Sequence, residues 1–401
     1  MKMVMRMMIL LLLLVTMMPC SYAFNVDERN SLLDFKQGLN FTSSFNTLQS
    51  WKGFNCYSWE GITCHPITTH VISLDLSPQS LKASTTSWPF MSWRELHGGL
   101  LQLRHLEHLD FTANAFFPCL PIPSQFHKLI NLRYLSLYSS NVFGQIPKEI
   151  GNMSSLTYLD LFNNSLNGTL PTFFGKLSKL TFFGLSYNSF SGTIPTFLSK
   201  LSKLTFLGLS SNSLNDTIPK SLSKLSKLTK LHLSANSLSG MITQTFGKLS
   251  KLTYLTLRSN SLSGTIPTSL SKLSNLTYLY LYSNSLNGTI LTFLGNLTKL
   301  THLDLSDNQL IGTCTILFFD KMPNIVLLRL SGNMFTVKIN VNYIPNFQLE
   351  VLHLRSLKGI FQLSFQLNIP YIHYICLKTF SEEYSRLALV FYASFLSQPL
   401  L

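Results

Sequence analysis

Leucine recurs along this chain with a fixed period. One column of apolar residues runs Leu129, Met153, Leu177, Leu201, Leu225, Leu249, Leu273 and Leu297, each 24 residues after the last. Within the period that starts at Leu201, apolar residues follow at Leu204, Leu207, Leu209, Leu214 and Ile218, with Asn212 among them. Leu207 and Leu209 are two apart, so they share one face of a short strand. Leu204, Leu214 and Ile218 are expected to turn inward from the rest of a coil. One such unit cannot bury its apolar edge alone, whereas stacked units share a continuous core, so the pattern predicts a stack of coils. The asparagine recurs as Asn164, Asn188, Asn236, Asn260, Asn284, Asn308 and Asn333. A buried amide must be hydrogen bonded, and the column is therefore expected to bond backbone groups of adjacent coils. Weaker copies extend the array. Val71 to Leu76 reads as a first strand. Leu103, Leu106, Leu109, Phe111 and Asn114 follow it, and Met322, Ile325, Leu328 and Leu330, then Leu349, Leu352 and Leu354, close the pattern.

The consensus LxxLxxLxLxxNxLxGxIP, whose second half is carried by Ser191-Gly-Thr-Ile-Pro195 and Ser263-Gly-Thr-Ile-Pro267, resembles the plant-specific leucine-rich repeat. Ahead of it, Leu32-Leu-Asp-Phe-Lys36, Leu48-Gln-Ser-Trp51 and Cys56-Tyr-Ser-Trp59-Glu-Gly61-Ile-Thr-Cys64 resemble the N-terminal cap of that family. The resemblance implies an α/β fold, a right-handed leucine-rich-repeat solenoid with a concave parallel sheet. It also implies a non-enzymatic extracellular recognition module, a receptor-like protein ectodomain. Such a module senses a peptide, a glycan or a microbial protein in defence or development signalling and acts with a co-receptor kinase. The alternative within the same family is a free secreted inhibitor of pathogen cell-wall-degrading enzymes, similar to polygalacturonase inhibitors. Two departures stand out: only Cys56 precedes Trp59 where family caps often have adjacent cysteines, and a paired-cysteine C-terminal cap is missing. The leucine pattern stops after Gly359, and neither an acidic juxtamembrane segment nor a membrane helix follows, so a truncated receptor-like chain is expected. The expected organisation is a signal peptide over 1–23, the cap over 24–70, about eleven or twelve repeats over 71–359 and a divergent, poorly packed tail over 360–401.

The first residues set the compartment. Lys2 and Arg6 precede an apolar run from Met7 to Met18, and Ser21-Tyr-Ala23 supplies the small residues of a cleavage site after Ala23. No later run reaches the roughly 18–20 apolar residues of a membrane helix. The mature chain is expected outside the cell, secreted or at the surface, and at the plasma membrane if it continues into a membrane helix. The net charge of +14 would suggest nucleic acid in an intracellular protein, and this location argues against that partner. In an oxidising compartment Cys56 and Cys64, eight apart, are expected to pair. Cys119 and Cys314 lie about eight coils apart, nearly 40 Å at roughly 4.8 Å per strand, too far for a disulfide.

No catalytic signature is present, and neither a cofactor nor a metal is expected. His105 and His108 flank Glu107 with a weak metal-like spacing at surface positions of a degenerate coil. Glycosylation sequons stand at Asn40, Asn152, Asn163, Asn167, Asn215, Asn275, Asn287 and Asn296. Lysines form two columns: Lys176, Lys200, Lys224, Lys248 and Lys272, then Lys179, Lys203, Lys227, Lys251 and Lys299. They read as a solvated edge or as a stripe for a polyanion, which outside a plant cell means pectin. The residues between the strand leucines vary most from coil to coil. Lys230, His232, Tyr254, Arg258, Tyr278, Tyr280, Tyr282, His302 and Asp304 collect aromatic rings and both signs of charge, and are the expected ligand-binding patch. Aromatic stacking along a sheet is the competing reading of the same tyrosines.

Overall fold

The computed structural model describes residues 24–37, 48–78, 80, 97–114, 119–289, 292–315, 322–339, 351–353, 362–363 and 374–376. The leader expected over 1–23 and the sequon at Asn40 lie outside them. The chain divides into two compact units, 1–166 and 167–401, and the same coil builds both.

In the first unit the cap comes first. Helix α1 (Val26–Gln37) starts at Asn25, whose Oδ1 accepts from the amides of Asp27 (3.1 Å) and Glu28 (3.3 Å) and so satisfies two of the orphan donors of the first turn. Leu32 and Phe35 bury one face of α1. Trp51 and Trp59 stack at 5.3 Å, with Phe24 and Phe35 on either side. Each indole nitrogen donates to a carbonyl, Trp51 to Glu60 (2.8 Å) and Trp59 to Lys52 (2.9 Å), so two large polar rings are buried without an unpaired donor. The Cys56–Cys64 disulfide forms as expected, with alpha carbons 6.3 Å apart. Its second cysteine ends a strand, Ile62–Cys64, that pairs antiparallel with Val71–Asp75. From there parallel strands follow at His108–Asp110, Tyr134–Ser136 and Tyr158–Asp160.

In the second unit the period is strict. Phe182–Gly184, Phe206–Gly208, Lys230–His232, Tyr254–Thr256, Tyr278–Tyr280 and His302–Asp304 pair in parallel, each residue opposite its counterpart 24 positions on. Leu201, Leu204, Leu207, Leu209, Leu214 and Leu222 are wholly inaccessible and Ile218 nearly so. Each such side chain contributes about 1.5–3 kcal/mol by leaving water, and a leucine of one coil packs on its copies above and below.

The asparagine column does what the sequence implies, with more bonds than one turn needs. Asn236 donates through Nδ2 to the carbonyls of Leu233 (3.2 Å) and Ser234 (3.1 Å) in its own coil and Leu209 (3.0 Å) in the coil before. Its Oδ1 accepts from the amide of Leu214, also in the coil before (3.0 Å). The pattern repeats at Asn212, Asn260, Asn284, Asn308 and Asn333. In the first unit Ser140 takes one place in the column and its hydroxyl still reaches back to the carbonyl of Phe111 (2.6 Å).

Two features differ from the sequence reading. First, the Ser-Leu-x-Gly-Thr segments are strands of a second parallel sheet, at Ser189–Thr193, Ser213–Thr217, Ser237–Met241, Ser261–Thr265 and Ser285–Thr289 in the second unit. These strands pair 22 residues apart, which sets the glycine of one coil opposite the leucine of the next, as in Gly192 and Leu214. Gly240 has φ +72°, and a Cβ there would lie 2.8 Å from the Thr217 methyl, so both backbone and neighbour favour glycine. Second, the stretch after 359 contributes strands. Tyr374–Cys376 pairs in register with Val351–His353, and Gln362–Leu363 pairs with Lys338–Ile339. A parallel ladder is held by backbone bonds and needs extended residues rather than leucines, so the loss of the leucine pattern did not end the ladder.

At position 216 the glycine is replaced by aspartate with φ +66°. An L-residue there costs roughly 1–2 kcal/mol. Asp216→Gly, which retains the Asn215 sequon, is expected to stabilise the chain by about 1 kcal/mol in urea unfolding. Asn236→Ala removes four hydrogen bonds and strands buried carbonyls in two coils, and the same measurement should show a loss of about 3 kcal/mol or more.

Candidate functional site

Because alternate residues of a strand point to opposite faces, fixing Leu231, Leu255, Leu279 and Leu303 in the core turns their neighbours outward. Lys230 and His232, Tyr254, Tyr278 and Tyr280, and His302 thus share one sheet face. Their rings form a connected set. Phe206 to His232 spans 5.0 Å, His232 to Tyr254 4.6 Å, Tyr254 to Tyr278 5.3 Å and Tyr278 to His302 4.6 Å. Tyr280 lies edge-on to Tyr254 at 5.8 Å and against Tyr278 at 6.3 Å. These rings are tilted by 30° to 68°, whereas Phe182 and Phe206 stack at 5°. Tyr254, Tyr278 and Tyr280 are each half-buried on this face.

Arg258 and Tyr282 lie just beyond the strands and engage each other. The guanidinium donates from Nη1 to the Tyr282 hydroxyl (2.7 Å) and sits 5.4 Å from its ring centre. Asp304 is placed differently from the rest of the expected patch. It is only 2 % exposed, accepts from the Ser306 amide (3.0 Å) and hydroxyl, and faces Arg329 Nη1 at 3.6 Å. Asp304 therefore orients Arg329 rather than presenting itself. Arg329 went unnoticed in the sequence because its coil is degenerate and a 25-residue step breaks the column. The register Asp304 opposite Arg329 restores it to the face.

Burial governs the titration of this face. It pushes His232 down to about 4, helped by the Lys230 charge, and pushes Tyr280 up to about 12. His232 is thus neutral at ordinary pH, and its buried Nε2 has no hydrogen-bond partner.

The first unit carries a second aromatic set. His108, Tyr134 and Tyr158 stack at 4.0 Å and 4.2 Å, nearly parallel. The Tyr134 hydroxyl donates to Asp110 (3.2 Å) and that of Tyr158 to Asp160 (3.4 Å). Burial raises Asp160 to about 6, against a bond from the Phe162 amide that favours its charge.

The two histidines flanking Glu107 join separate clusters instead of one site. His105 meets Glu28 (3.3 Å) beside His70 (3.1 Å), and His108 lies with Asp75 and Asp110. Either trio places three donor atoms within 4.8 Å of one another. The rings of His70 and His105 stack at 3.7 Å and 21°, and both Nδ1 atoms converge on Glu28 Oε1, so the carboxylate itself serves the two imidazoles. Glu28 is engaged by the Val71 amide (2.6 Å), which ties the cap to the first strand. Asp75 and Asp110 accept from the amides of Ser77 and Thr112, the turn bond also made by Asp160 and Asp304. Both trios are explained by structure.

Residues 25–65 match the family described as leucine rich repeat N-terminal domain, 154–214 and 226–286 match leucine rich repeat, and 299–320 match a further leucine rich repeat model. The chain carries leucine-rich repeats behind a leucine-rich-repeat N-terminal domain. Its relatives are plant receptor-like proteins. Receptor-like protein 7 of Arabidopsis thaliana is 38 % identical over 30 % of this chain and 11 % of its own length. Receptor-like protein EIX2 of Solanum lycopersicum is 36 % identical over 30 % of this chain and 12 % of its own. The match thus spans about a tenth of the length of those relatives. Among solved structures, the HAESA receptor kinase ectodomain of Arabidopsis, in complex with an IDA peptide hormone, superposes with a TM-score of 0.70 at 28 % identity, covering 82 % of this chain and 57 % of that one. A plant ice-binding protein superposes at 0.55 and 26 % identity over 82 % of this chain and 95 % of its own. The fold therefore does not name the function, and the face must. Among the described residues no helix is long and apolar enough to cross a membrane.

His232→Phe tests the electrostatics of the face. An imidazole whose pKa falls from about 6.5 unfolded to about 4 folded contributes stability above pH 6.5 and loses it as pH drops toward 4. Phenylalanine escapes that loss and removes the unpaired nitrogen. The variant should melt higher than the parent at pH 8, and the difference should widen at pH 5.

Proposed function

We propose that this chain is a non-enzymatic extracellular recognition module whose outward sheet face around Tyr254, Tyr278, Tyr280 and Arg329 binds a peptide or protein ligand. One observation carries the reading. The scaffold repeats almost unchanged through the second unit, while the outward residues change from Phe182 and Phe206 to Lys230, Tyr254, Tyr278 and His302. A ladder kept only for sheet stability has no reason to change. Rigid strands hold these side chains, so little conformational freedom is lost on binding. Tilted tyrosines offer hydroxyls and ring edges that suit the alternating donors and acceptors of an extended peptide. The likeness to HAESA, solved with a peptide hormone and the co-receptor SERK1, supports the same class of ligand and a partner kinase. A signalling role in defence or development belongs to this proposal through the receptor-like relatives.

Selection of binders from a displayed library of linear peptides against the full chain supplies a ligand for the test. Tyr278→Ala and Tyr280→Ala should each weaken the selected peptide at least tenfold, equivalent to about 1.4 kcal/mol or more. Ser191→Ala on the second sheet should change nothing. Peptides insensitive to both tyrosines would show that the face is a structural ladder.

A further inference from the structure

We propose that the lysine columns of the second unit form a binding strip for a linear polyuronate, an extended sugar chain bearing one carboxylate per residue. The strip is separate from the sheet face, and the two proposals stand or fall independently.

The charge distribution is lopsided. Between residues 170 and 300 the chain has twelve lysines and one arginine against a single carboxylate, Asp216. Ten of those lysines lie in the two columns, and all ten are exposed. The first column closes successive 3₁₀ turns: Thr172–Lys176, Thr196–Lys200, Lys220–Lys224, Gln244–Lys248 and Thr268–Lys272. The second column stands three residues on, in the bend before the strand. Among the described residues none of the ten forms an ion pair, since the four pairs present involve His70, His105, Arg133 and Arg329.

The columns are lines in space, because the coils stack in register and successive 3₁₀ turns pack on one another. Lysines of adjacent coils are therefore about 5 Å apart along each line, and Lys299 stands two coils from Lys251. One contact shows this reach directly. Asn275 takes the second column's place after Lys251, and Lys299 in the next coil donates to its Oδ1 at 2.8 Å. Like charges at this spacing repel, and a bound line of anions relieves that repulsion.

Between the columns runs a third line, Ser178, Ser202, Ser226, Ser250 and Ser274, all exposed. Ammonium groups flanking a row of hydroxyls suit carboxylates on a chain that also carries sugar hydroxyls. Aromatic platforms for stacking nucleic-acid bases are absent from the strip, whose remaining residues are buried leucines such as Leu177 and Leu201. A line one coil-edge wide also fits an extended chain better than a planar lipid surface. Asn296 and Asn275, both in sequons, take the next places in the two columns and end the continuous run.

The test is titration of the full chain with de-esterified oligogalacturonate of about ten residues, beside its methyl-esterified form, a neutral glucan oligomer and anionic vesicles of phosphatidylserine. The de-esterified oligomer should bind at 50 mM salt and weaken at least tenfold at 300 mM, as screening shortens the reach of each charge. Replacing Lys176, Lys200, Lys224, Lys248 and Lys272 with glutamine should weaken it at least tenfold, and so should the same change in the second column. Both sets are exposed, and circular dichroism verifies the fold. Tyr278→Ala and Tyr280→Ala should leave this binding unchanged. Equal binding of the esterified oligomer, tighter binding of vesicles, or indifference to both lysine sets would overturn the proposal.

Discussion

The side-chain amide of the asparagine column is the contact on which the coil depends. Each turn at the end of a sheet strand leaves carbonyls aimed at the interior, where water cannot serve them. One amide group satisfies two of its own coil and one of the coil before, as Asn236 does for Leu233, Ser234 and Leu209. Its oxygen then accepts the Leu214 amide. An unpaired buried polar group costs about as much as several apolar contacts supply, so the leucines can pack only where this network is complete. The residue before each asparagine pays for the turn with a left-handed backbone, at Tyr187, Ser211, Ala235, Ser259, Ser283 and Asp307. Ser140 marks the limit of tolerance, since a hydroxyl reaches only part of what the amide reaches.

Once that network and the leucine stack fix the backbone, the remaining positions are released from folding. The sheet face and the loop edge both vary or accumulate charge without disturbing the core. The sheet face uses this freedom to place different side chains on successive strands. The loop edge uses it to repeat one side chain. Variation suits recognition of a ligand with distinct groups along its length, whereas repetition suits a ligand that is itself periodic. The same coil therefore presents two surfaces of different information content.

Much was legible in the sequence because period and burial are tightly linked here. Leu207 and Leu209 two apart, the 24-residue columns, the recurrent Asn212 position and the Cys56–Cys64 pair each follow from local spacing, and the structure has all of them. The outward position of Tyr254, Tyr278 and Tyr280 follows from strand alternation once the leucines are known to be inside. The family resemblance also extended to the cap, where residues 25–65 carry it.

What only the tertiary structure decided concerns atoms brought together from different coils. The second sheet depends on a 22-residue register that a 24-residue sequence period hides. Asp304 is chemically suited to a ligand, but its place beside Ser306 and Arg329 buries it, and Arg329 enters the face only through register across a broken repeat. His70 and His105 lie 42 and 77 residues from Glu28, and only the docking of the cap on the first coil joins them. The strands at Gln362–Leu363 and Tyr374–Cys376 carry no repeat signature, because a backbone ladder asks only for extended chain beside it. Sequence alone thus determined which residues lie inside each coil, since burial repeats with the chain. Which outward side chains meet was left to the stacking of coils, since that depends on registers the chain does not spell out.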